Sequence, residues 1–156
     1  MSPRRSAAPI QVQVSIPSGQ RELLAADWVR RVAVTTLEAE DQRGVRLAVT
    51  LTDDQGIRAL NNTYRGIDRP TDVLAFAMSE GPAFIVPSSE PRDLGDVVIS
   101  LPRAQCQAAE HHTSLQGEVA LLVVHGCLHL LGYDHAEDEE QQRMWARQAA
   151  ILATIG

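Results

Sequence analysis

Polar and apolar positions alternate strictly near the start of the chain, where Ile10, Val12, Val14 and Ile16 are separated by Gln11, Gln13 and Ser15. A period of two predicts a strand with one face buried. The period then changes. Over 21–40, Leu24, Trp28, Val32 and their neighbours recur at helical spacing with no glycine or proline among them, which predicts a first helix. Alternation returns at Val45, Leu47, Val49 and Leu51, a second strand. Thr52-Asp53-Asp54-Gln55 has the form of a capping box, with Thr52 as the cap and Gln55 reaching back, and predicts a short helix to about Tyr64 that Gly56 weakens slightly.

The apolar runs at 73–77 and 96–99 are too short for helices and are expected as strands. Between them, 79–95 holds Pro82, Pro87 and Pro91 and is expected as a long loop with a brief extended piece at 84–86. Loops of that length are often functional. Helices are expected over 101–109, with Pro102 in the first turn, over 114–131 and over 137–155. The succession predicts an α+β fold, one mixed sheet of about four strands with helices packed on it.

At 156 residues, with no internal repeat or linker, the chain is expected to be one domain, 1–156, in which 1–9 is a disordered extension. Arg4 and Arg5 precede no apolar segment of the secretory type, and the longest apolar stretch, 119–124, is far too short to cross a bilayer. A cytoplasmic protein without a membrane partner is expected. Cys106 and Cys127 lack C-x-x-C spacing and are read as free core thiols. A net charge of −6 argues against coating nucleic acid through bulk positive charge. Any phosphate contact must then be local. Arg58, Arg65 and Arg69 lie within twelve residues and offer such a patch, although scattered arginines are ordinarily just a solvated surface.

The strongest chemical signal lies further on. From 119 to 131 every residue is apolar or small except His125 and His129, which marks a buried helix with two imidazoles. Four residues turn a helix by about 400° and advance it by about 6 Å, so both rings project toward one point. Gly132 suits the left-handed residue that ends a helix, and His135 follows the turn. Three neutral imidazoles in this arrangement would hold one zinc ion with the fourth position open. Unpartnered, each buried ring would cost on the order of 1 to 3 kcal/mol, and a shared metal removes that cost for both. Cys127 points about 200° away around the helix and is read as core. Glu118 shares the histidine face but lies about 10 Å along the axis, too far to ligate, and is expected to be solvated. His111 and His112 are assigned no role.

The H-x3-H-x5-H spacing and Gly132 match the H-E-x-x-H-x-x-G-x-x-H pattern of zincin-type peptidases, and the expected fold is accordingly zincin-like. One position departs: Gly126 stands where those peptidases carry the glutamate that deprotonates the zinc water. The ligand set is that of a zincin without its usual base.

His125-Gly126-Cys127-Leu128-His129-Leu130-Leu131-Gly132-Tyr133-Asp134-His135 resembles the H-G-x-L-H-L-x-G-Y-D-H signature of the YbeY family of endoribonucleases. Leu60-Asn61, Tyr64-Arg65 and Pro70-Thr71-Asp72-Val73-Leu74-Ala75-Phe76 resemble its L-N-x-x-Y-R and P-T-D-V-L-S-F blocks, and Leu94-Gly95-Asp96-Val97 its L-G-D-I segment. Ala75 and Ala77 depart from the serine and proline common there. The resemblance implies a metal-dependent endoribonuclease specific for single-stranded RNA, acting in 3′-end maturation of 16S ribosomal RNA and in ribosome quality control. It further implies ribosomal RNA and the small ribosomal subunit or its proteins as partners. A phosphoryl transition state gathers negative charge, which a guanidinium with paired donors suits, and Arg65, matching the family's Y-R block, is the candidate catalytic residue. Its competing reading is a surface or structural arginine.

Water and the 2′-hydroxyl both stay open as nucleophile. For Asp134, a helix cap is preferred over a base or a partner for a histidine. Glu137, Asp138, Glu139 and Glu140 suit the positive end of the last helix and would repel RNA. Tyr64, Phe76 and Tyr133 are read first as packing, with base stacking the lesser alternative. Two other functions remain: a zincin-type metallopeptidase, and a non-catalytic, zinc-stabilised ribosome assembly factor.

Overall fold

Among residues 9–78, 91–133 and 137–155, which the computed structural model describes, four strands and five α-helices form. In chain order they are β1 (Gln11–Ser15), α1 (Ala26–Ala39), β2 (Val45–Thr52), α2 (Asp54–Arg65), β3 (Val73–Ala77), β4 (Arg92–Ser100), α3 (Leu101–His111), α4 (Leu115–Leu130) and α5 (Asp138–Thr154). The strands make one mixed sheet in the order β1-β2-β4-β3. β1, β2 and β4 run parallel, and β3 is an antiparallel edge strand on β4. This is the α+β architecture expected from the pattern.

The sheet is covered on both faces, unequally. Val97 and Ile99 of β4 join Leu47, Val49, Leu101 and the apolar residues of α1 and α4 in the main core. Val98 points the other way and meets Ile57 of α2 and Leu74 of β3 in a smaller cluster. A strand buried on both faces carries a continuous apolar run, which is why 97–99 shows no alternation. The α4 helix is apolar nearly all round because α1, α3, α5, β3 and β4 all pack against it. Ser114 starts it, its hydroxyl accepting from the Gly117 N–H at 2.9 Å.

Several boundaries differ from expectation. α1 begins at Ala26 rather than near Arg21, because Ser18–Gln20 form a short 3-10 turn and the following residues still turn before the helix. Leu24 is buried from that turn, so its spacing from Trp28 records a shared core and not a shared helix. β4 begins at Arg92, well before Asp96. Its polar start and the register shift opposite Arg46 and Leu47 hide it from a pattern search. The expected loop over 79–95 therefore ends earlier, and the extended piece at 84–86 lies outside the described residues, as do 1–8 of the expected N-terminal extension.

The α2 cap is Asp53 and not Thr52: its carboxylate accepts from the Gly56 N–H at 2.7 Å. A Cβ on Gly56 would lie 2.2 Å from Thr52 Oγ1, so this glycine permits the cap instead of merely weakening the helix. Cys127 is fully buried as expected, whereas Cys106 is exposed on α3.

Candidate active site

His125 and His129 stand one turn apart on α4, their ring centroids 5.0 Å apart and nearly edge to face at 68°. The helical pitch places both rings together, as expected. Between them, a Cβ on Gly126 would sit 2.6 Å from Val97 Cγ1. Glycine therefore lets α4 lie directly against β4. A peptidase-type glutamate has no room there without separating helix from sheet.

The end of α4 is held on both sides. Gly132, at φ +103°, takes the left-handed turn that L side chains rarely adopt, and the Tyr133 N–H returns to the Leu128 carbonyl at 3.0 Å. The Tyr133 hydroxyl donates to Glu40 Oε1 of α1 at 2.7 Å, and Arg147 Nε of α5 donates to Glu40 Oε2 at 2.7 Å. Burial first, then the neighbouring Glu40 carboxylate, pushes the Tyr133 phenol above its ordinary pKa. Tyr133 is thus a structural tie. His135 and Asp134 lie just beyond it, outside the described residues. Among the described residues no group of three histidine, cysteine, aspartate or glutamate side chains could hold an ion.

The two histidines open on a cleft of about 450 Å³ that also meets Arg65, Asp72 and Ala75. Two helices from opposite faces of the sheet reach it because β3 is the edge: α4 brings the imidazoles, and α2 ends in Arg65. Arg65 Nη2 donates to the outward carbonyl of Ala75 at 3.0 Å, and the guanidinium lies 5.7 Å from the Phe76 ring. Arg65 thus shares the cleft with both imidazoles. The other arginines of the proposed patch differ. Arg58 is paired with Asp68 at 2.7 Å, which raises the arginine's pKa and lowers the aspartate's, and both side chains are exposed. The Arg69 carbonyl accepts from Asn61, closing the turn after α2.

Three residues that sequence reasoning missed join the site. Gln148 of α5 places its Oε1 3.1 Å from His125 Nδ1. A carbonyl oxygen only accepts, so this pairing suits the tautomer with the proton on Nδ1, which leaves the Nε2 lone pair for an ion. Asp72 accepts from the Val73 N–H at 2.8 Å and from Gln107 of α3 at 3.1 Å. Nothing near Gln107 or Gln148 in sequence marks them; Asp72 at least lies within a motif block.

Glu118 corrects an expectation. It is not solvated but 3% exposed, with its Oε1 accepting from Thr113 Oγ1 at 3.0 Å and lying 3.3 Å from His111 Nδ1. The last residue of α3, His111, and Thr113 of the turn after it meet this carboxylate, which an angular projection along one helix cannot show.

The donor chemistry fits a divalent metal: adjacent imidazoles, one with its tautomer set by Gln148, facing a polar cleft. Two imidazoles and a guanidinium on one cleft are the constellation of a metal-assisted hydrolase acting on an anionic ester. The model of the family described as endoribonuclease YbeY matches residues 13–156. A protein of that name from Roseiflexus castenholzii is 44% identical over 151 residues, covering 96% of this chain and 95% of its own. Another from Moorella thermoacetica is 46% identical over 149 residues, covering 92% and 93%. The solution structure of TM1509 from Thermotoga maritima shares the fold, with a TM-score of 0.63 and 24% identity over 93% of this chain and 89% of that one. The chain belongs to the YbeY endoribonuclease family.

Proposed function

We infer that this protein is an endoribonuclease of ribosomal RNA processing, a metal-dependent hydrolase of RNA phosphodiester bonds. The observation that carries the chemistry is the single cleft joining Arg65 of α2 to His125 and His129 of α4. His125, His129 and His135 would hold one zinc ion, the metal that three neutral imidazoles suit best. When bound, the ion supplies Lewis-acid polarisation of a phosphoryl oxygen and lowers the pKa of water. Arg65 is the catalytic guanidinium. Its bond to Ala75 holds the plane of the group, and its other N–H donors clamp the phosphate and offset charge in the transition state. Gln148 keeps the His125 proton on Nδ1.

The finer reading is specificity for single-stranded RNA, action at the 3′ end of 16S ribosomal RNA and in ribosome quality control, and recruitment by the small subunit or its proteins. The setting is cytoplasmic; no helix among the described residues is long and apolar enough to cross a membrane. A peptidase fits less well. Val97 closes the position of its base, and Arg65 occupies an edge-strand carbonyl to which an extended peptide would pair.

The test is metal analysis coupled to cleavage of single-stranded RNA. Wild type should carry one zinc and cleave; His129→Ala should lose both metal and cleavage; Arg65→Ala should keep the metal and slow by roughly 10² to 10³. Metal-loaded wild type that leaves several RNAs intact, with His129→Ala losing only stability and ribosome association, would establish the non-catalytic assembly factor instead.

A further inference from the structure

Tyr64 has an unusual place for a large aromatic side chain. It is 67% exposed on the last turn of α2, immediately before Arg65. The same helix face buries Ile57 and half-buries Leu60 against Leu74 and Val98 of the sheet, but beyond Phe76 the sheet ends, because β3 is its edge strand. Among the described residues the Tyr64 ring meets one other aromatic ring, Phe76, at a centroid distance of 5.3 Å and a tilt of 58°. Phe76 in turn lies under the Arg65 guanidinium. Tyr64, Phe76 and Arg65 form a continuous ledge leading out of the cleft.

The surroundings share this character. Among the described residues five large hydrophobic side chains are exposed, and three stand at the ends of α2 and β3: Tyr64 on the last turn of α2, Ile67 at 40% just after it and Met78 at 60% just after β3. Exposed apolar side chains at the ends of two elements that both reach the cleft suit a contact surface. The charged groups near it do not make it an electrostatic site. Asp96 stands opposite Phe76 on β4, and Asp68 is already paired with Arg58. What the ledge offers is an aromatic face.

We propose that Tyr64, backed by Phe76, is a stacking site for one unpaired nucleobase of the RNA whose phosphate Arg65 holds. This rests on the endoribonuclease reading above and extends it to the recognition of substrate. The occupant is a nucleobase because the ledge is continuous, through Phe76, with the guanidinium of the cleft. Stacking accepts any base, since each has a π-face, but only a base released from pairing can reach an aromatic ring. The ledge thus supplies preference for single strands without selecting a sequence.

Binding of short oligoribonucleotides to the full chain, with chelator present to prevent cleavage and salt held constant, tests the proposal. Tyr64→Ala should weaken binding about tenfold, Tyr64→Trp should restore it, and the effect of Tyr64→Ala should vanish on a fully abasic oligomer of equal length. Equal binding by wild type and Tyr64→Ala, or an equal loss on the abasic oligomer, would overturn the stacking site. Wild type that neither binds the RNA nor cleaves it when metal-loaded would overturn the endoribonuclease reading itself, and the stacking site with it.

Discussion

Gly126 illustrates how one residue carries both packing and chemistry. A methyl group there would meet Val97 Cγ1 at 2.6 Å, and a buried valine on a central strand has little freedom to move. Gly126→Ala should therefore destabilise the protein by about 1 to 3 kcal/mol, the usual cost of overpacking a core, and urea denaturation would measure it. An unchanged midpoint would show that α4 shifts without penalty. Gln148 acts at the same scale but on His125, a proposed metal ligand. Gln148→Leu removes the acceptor that keeps the proton on His125 Nδ1, and zinc affinity, read by competition with a chromophoric chelator, should fall roughly 10- to 100-fold. Retention of wild-type affinity would mean that the tautomer is set by another contact.

At the scale of elements, the joint between α1, α4 and α5 matters most. Tyr133, just past α4, and Arg147 of α5 converge on Glu40 at the end of α1. This three-way tie holds the chain where it leaves α4. Because the folded protein raises the Tyr133 pKa, it favours the protonated phenol, and that stabilisation is complete below the unfolded value of about 10. It is lost as the pH rises above that value and through the folded pKa. Tyr133→Phe should cost about 1 kcal/mol at neutral pH and flatten the decline in stability above about pH 10. Parallel pH profiles of wild type and variant would argue against the tie.

Across the whole molecule, burial divides accessible from inaccessible chemistry. Cys127 lies in the main core, and burial pushes its thiol up to about 12, whereas Cys106 is exposed on α3. A thiol reagent on the native protein should modify one cysteine, Cys106, and reach Cys127 only as the fold opens. Peptide mapping by mass spectrometry would check this; early labelling of Cys127 would reveal local opening of α4. The cleft forms where the sheet stops at β3, so helices on its two faces approach each other around the edge.

The sequence by itself determined what depends on neighbours within a few residues. Helical pitch alone places His125 beside His129, Gly132 alone permits the turn after α4, and period-two alternation marks β1 and β2. Tertiary structure decided everything that joins distant segments. It brought Arg65 to the imidazoles, set Gln148 on His125, enclosed Glu118 and left Tyr64 at the end of the sheet. It also extended β4 back to Arg92, where polar residues and a register shift mask the strand. The physical reason is range. Backbone geometry and spacing act over one or two turns, whereas burial and contact depend on which strands become neighbours, and an edge exists only once the whole sheet has formed.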